Sequence, residues 1–89
     1  MVKIPALWLG RVFLSLRRGS SQEAHCAAAE LQPFTEMPGQ RVSVPRSTVL
    51  RTELALRMEL ERSGGPDRRA KLSEEAEQLV HARTGGPSH

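Results

Sequence analysis

His25 and Cys26 stand side by side, and their types suit nucleophilic chemistry, a thiol beside a base. Adjacent side chains on a helix diverge, however, and no third group lies nearby in sequence to orient the imidazole. Cys26 is the sole cysteine, so neither an internal disulfide nor a CxxC pair can form. It reads most simply as a small apolar residue in an Ala-rich stretch. A zinc site would need His81 or His89 and a carboxylate gathered from distant positions, so no metal or other cofactor is expected. Glu74, Glu75 and Glu77 read as a solvated helix face, and His81 as a cation facing the end of a helix dipole. The chain contains no G-x-x-x-x-G-K-[ST], G-x-G-x-x-G or G-x-S-x-G pattern. No catalytic residue is expected, and the protein reads as non-enzymatic.

The elements able to position side chains lie mostly in the C-terminal half. STVLRTELALRMELER, from Ser47 to Arg62, consists largely of strong helix formers. Ser47 suits the N-cap, and Ser63-Gly64-Gly65-Pro66 stops the run. Leu54, Leu56, Met58 and Leu60 alternate with polar residues as a strand would, but propensity favours a helix. On a helix, Leu50, Leu54 and Met58 form one stripe and Val49, Leu56 and Leu60 another, about 100–180° away. Arg57 can pair with Glu53 and Glu61, and Glu59 with Arg62. A second helix is expected from Asp67, its N-cap, to about Arg83. Leu72, Ala76, Leu79 and Val80 make its apolar stripe, with Asp67–Lys71 and Lys71–Glu75 as i+4 pairs. The short link folds the two helices back antiparallel. The sequence thus predicts a small all-α fold, a helical hairpin over 47–63 and 67–83, followed by a tail over 85–89.

Residues 20–46 contain Pro33, Pro38 and Pro45 and show no sustained periodicity. Ala24–Leu31 could form one short helix, which Pro33 would stop near Gln32. The remainder is expected to be extended, with Phe34 and Met37 as anchors on a partner. Tyr is absent and β-branched residues are few, which argues against a sheet. The N-terminal half is therefore expected to be disordered or extended apart from an amphipathic helix at its start.

That start contains no acid. The first acidic residue is Glu23, and Lys3, Arg11, Arg17 and Arg18 precede it. The other nine Lys and Arg face all ten Asp and Glu, so the basic pI of about 10.0 originates in the first 22 residues. After Pro5, Leu9, Val12, Phe13 and Leu16 fall on one helical face with Ala6, while Arg11, Ser15 and Arg18 lie opposite. Leu7 and Leu14 lie on the polar side. The acid-free, Arg-containing amphipathic helix followed by Gly-Ser-Ser resembles a mitochondrial targeting presequence. The resemblance implies processing after Gly19, with Arg18 two residues before the cut and Ser20 first in the mature chain. Leu9, Arg11, Val12, Phe13, Leu16, Arg17 and Arg18 would then carry targeting. A secretory signal needs an apolar run of roughly 7–15 residues; the longest charge-free run, Ile4–Gly10, has seven and includes Pro5 and Gly10. A membrane-surface or core-covering helix would share the pattern. No stretch approaches the ~20 apolar residues of a transmembrane helix.

The hairpin alone has too few large apolar side chains to offset the ordering of its residues, so a partner is implied. Leu50, Leu54, Leu56, Met58, Leu60, Leu72, Leu79 and Val80 are the expected partner-binding residues. Beyond the start the charge is slightly acidic, and only Arg41, Arg46 and Arg51 lack nearby acids in sequence, so dedicated nucleic-acid binding is not expected. The sequence reading is an accessory or assembly factor of a mitochondrial complex, respiratory chain or ribosome, in the matrix or at the inner membrane. The alternatives are a cytosolic, nuclear or membrane-surface helical adaptor. A product without selected function would also show this absence of Asn and Tyr and abundance of Arg, Gly, Pro and Ala.

Overall fold

A computed structural model describes residues 1–85; the tail from residue 86, including His89, lies outside the described residues. The element order is β1 (Val2–Pro5), α1 (Ala6–Arg17), α2 (Gln22–Thr35), β2 (Arg41–Val44), α3 (Arg46–Arg62) and α4 (Pro66–Arg83). The helices form a ring: α1 packs on α2, α2 on α3, α3 on α4, and α4 on β1 and α1.

This corrects the expected disordered or extended N-terminal half, since both the start and the Pro-containing segment are built into the fold. Val2 and Ile4 alternate with Lys3 and Pro5, and Val42 and Val44 with Arg41 and Ser43, so each segment has one apolar edge. They pair antiparallel, Val2 opposite Val44 and Ile4 opposite Val42, with all four valine and isoleucine side chains buried. The Ala6 N–H donates to the Gln40 carbonyl at 2.8 Å and extends the ribbon by one bond. Overall scarcity of β-branched residues therefore misleads: four of them at period two suffice. Gly39, at φ +109°, turns the chain from α2 into β2 in a conformation that side chains disfavour.

The core draws on every element. Ile4, Leu9, Val12, Leu16, Leu31, Val44, Val49, Leu56, Leu72 and Leu79 are among its fully buried side chains. In α1, Leu9, Val12 and Leu16 point inward with Phe13 and Ala6 partly covered, so the face assigned to targeting is here a packing face. The hairpin's missing partner is the chain's own N-terminal half.

Several boundaries differ from expectation. α2 starts at Gln22 and runs through Pro33 to Thr35. Ser21 supplies the cap the sequence reading missed, its Oγ accepting from the Ala24 N–H at 3.1 Å. Pro33 sits so near the C-terminus that few later bonds depend on it, while buried Leu31 and half-buried Phe34 hold the last turn to the core. α3 begins after Pro45, without a side-chain cap from Ser47. In α4, Pro66 occupies the first turn and Gly65 the cap position, which leaves Asp67 within the first turn.

Candidate docking surface

On α3 the two apolar stripes have opposite fates. Val49 and Leu56 are buried and Leu60 partly so, whereas Leu50 and Leu54 are 44% and 60% exposed and Met58 half-exposed. Leu50, Leu54 and Met58 recur at four-residue spacing along the outer side. Beside Leu54 runs an open groove of 190 Å³ between α2 and α3, lined by Glu23, Cys26, Ala27, Glu30, Arg51, Leu54 and Ala55. Its small lining residues Ala27 of α2 and Ala55 of α3 are both buried. Arg51 bonds Glu30 at 2.9 Å across the rim, so it has an acid partner that sequence spacing hides.

The expected partner-binding residues therefore separate. Leu56, Leu72 and Leu79 are at most 1% exposed and unavailable to another molecule. Leu60 and Val80 are half-buried and line a second depression at the α3–α4 seam. Leu50, Leu54 and Met58 remain on the surface. Of the residues expected to carry targeting, only Arg11, Arg17 and Arg18 are exposed.

The chemistry-bearing residues do not converge. The His25 Nε2–H donates to the Gly19 carbonyl at 2.7 Å, which commits the imidazole to the α1–α2 turn. Cys26 is exposed on the groove wall. His81, Glu74 and Glu77 are exposed on α4, and among the described residues no group of three His, Cys, Asp or Glu is placed to hold a metal ion.

Polar side chains that looked superficial in sequence tie elements together. The three ion pairs among the described residues each join two helices: Arg51–Glu30, Arg68–Glu59 at 3.6 Å and Arg83–Glu53 at 2.6 Å. The intrahelical pairs expected for Glu53, Glu59, Glu61, Asp67 and Glu75 are not formed. Glu59 accepts from both the backbone N–H (3.1 Å) and hydroxyl of Ser21, locking α3 to the α1–α2 turn. A Cβ on Gly19 would lie 2.7 Å from the Glu59 carboxyl carbon and 2.9 Å from the Ala24 Cβ, so this close approach requires glycine. Gly-Ser-Ser, which resembled a processing site, forms this tight turn.

Burial tends to raise the Glu59 carboxyl, but the Ser21 hydroxyl and amide, with Ser20 and Arg68, outweigh it and hold the group below its ordinary range. Glu75 goes the other way. It is 1% exposed, neither oxygen finds a hydrogen-bond partner among the described residues, and burial pushes its carboxyl upward. The Ser15 hydroxyl, Lys71, Arg11 and Arg68 only partly oppose that rise; Ser15 stands close but outside good hydrogen-bond geometry. No helix among the described residues is long and apolar enough to cross a membrane. The chain matches no family model, and comparison with curated proteins and with solved structures finds no match.

Proposed function

We propose that the protein is a small, non-enzymatic binding module that docks a helix of a larger partner along the outer stripe of α3. The observation that carries this reading is Leu54, a large apolar side chain 60% exposed beside a groove of small residues. An apolar strip with a charged rim of Glu23, Glu30 and Arg51 suits an amphipathic helix, whose ridge can enter between α2 and α3. The setting we propose is a mitochondrial complex, on the strength of the acid-free cationic start. In that setting the start would be retained after import. A mature chain beginning at Ser20 would lack buried Val2, Ile4, Leu9, Val12 and Leu16. At about 2 kcal/mol each, those five side chains represent roughly 10 kcal/mol of burial, the net stability of a typical domain.

Cys26 provides the test, because it is the only thiol and lies in the groove. The full chain, carrying a photoactivatable crosslinker on Cys26, is mixed with mitochondrial and cytosolic fractions and irradiated. A discrete adduct in the mitochondrial fraction is expected. Leu54→Asp should weaken its formation at least tenfold, the loss of about 1.4 kcal/mol or more from an interface anchor, with helical content unchanged. Adducts of equal yield from both proteins would overturn the docking reading. An adduct confined to cytosol would overturn the setting alone.

A further inference from the structure

α1 has an outer face that neither the core nor the α3 stripe uses. Leu7 and Leu14, at i and i+7, are 69% and 51% exposed, and Arg11 and Arg18 recur with them along the same side. Arg17 and Lys3 are also exposed, as is Met1 at the head of β1. No acidic residue occurs in β1 or α1.

The positive character continues onto neighbouring helices. Arg18, Arg62 and Arg68 line one depression with Ser20, Ser63 and the Gly64-Gly65 link. The Glu59 carboxylate at its base is already engaged by Ser21 and Arg68. Lys71 and Arg68 of α4 stand with Arg11 of α1 around the buried Glu75. On α4, exposed Asp67 and Glu74 flank Lys71 at about 40° and 60° of helical rotation, so the positive character of this border rests on Arg68 and on the acid-free α1.

We propose that this surface, the outer face of α1 bordered by Arg68 and Lys71 of α4, seats the protein on an anionic phospholipid bilayer. The charge complements lipid phosphate, and Leu7 and Leu14 sit where acyl chains begin when a cationic helix lies in the interface. Interleaved leucine and arginine suits lipid better than nucleic acid, which would reward exposed aromatic rings. Trp8 is half-buried, and its ring is covered by the Arg11 guanidinium 5.1 Å from the centroid. The site is distinct from the α3 stripe, so lipid and protein partners could be held together.

Flotation of the full chain with vesicles tests this. Vesicles of equal parts phosphatidylglycerol and phosphatidylcholine should carry the protein upward, while phosphatidylcholine alone should not. Leu7→Ser with Leu14→Ser, and separately Arg11→Gln with Arg18→Gln, should each weaken association about tenfold or more, while Leu54→Asp floats like the wild type. All three alter exposed positions, and unchanged circular dichroism verifies their folds. No flotation with the anionic vesicles would overturn the proposal. So would wild-type flotation by the leucine variant, or tighter binding to polyuridylate that ignores the leucines, which would mark a nucleic-acid surface.

Discussion

Glu59 and Glu75 are both nearly inaccessible, yet their surroundings differ in what they offer a negative charge. Glu59 receives two donors from Ser21 and a nearby Arg68, so its ionised form is the one the fold stabilises. With its folded value depressed, its stabilising contribution is present above the ordinary 4.5 and disappears as pH falls through the lower folded value. Glu59→Gln should therefore cost about 1–3 kcal/mol in urea unfolding at neutral pH, with the difference shrinking below pH 4.5. Glu75 has the opposite linkage. Its folded value is raised, so its contribution is favourable when protonated and is lost as pH rises from 4.5 through the higher folded value. Glu75→Met, which removes the carboxyl at similar volume, should stabilise the protein by about 1–3 kcal/mol at neutral pH. That gain should shrink on acidification; a destabilised variant at neutral pH would show that the carboxylate has a partner. Neither role was legible in sequence. Glu59 was assigned to Arg62 and Glu75 to a solvated face, because their burial depends on α1 and the turn after it.

At the scale of elements, legibility followed how locally each structure is specified. The spans of α3 and α4 could be read from propensity, the Ser-Gly-Gly-Pro stop and the helical spacing of leucines. The inward face of α1 was equally plain from Leu9, Val12 and Leu16, but its meaning was not: an apolar stripe looks the same whether it meets an import receptor, a bilayer or the protein's own core. α2 was underestimated because Glu59 braces its cap from 38 residues away. The β ribbon was missed for a related reason. Val2-Lys3-Ile4 and Val42-Ser43-Val44 are too short to stand out alone, and each becomes a strand only against the other. On α3 both stripes were visible, and only the packed structure distinguishes the buried one from the exposed Leu50–Leu54–Met58 line.

For the whole molecule, the ring of helices explains how 89 residues without a disulfide or metal site among the described positions can close a core. A hairpin of α3 and α4 leaves Val49, Leu56, Leu72 and Leu79 uncovered, whereas α1, α2 and the ribbon complete the enclosure. The partner that the sparse hairpin seemed to require from outside is thus mostly internal. An external partner is left the surface of α3 rather than the core of the hairpin.

Amide hydrogen exchange on the intact chain tests that enclosure most directly. If the start belongs to the core, the bonded amides of β1 and those within α1 exchange only when the whole protein unfolds. Their protection should then match that of the central turns of α3 and α4 and fall in parallel with it as urea is added. Exchange of residues 1–19 at free-peptide rates, while 47–83 stay protected, would contradict the account and return the start to the role of an appendage.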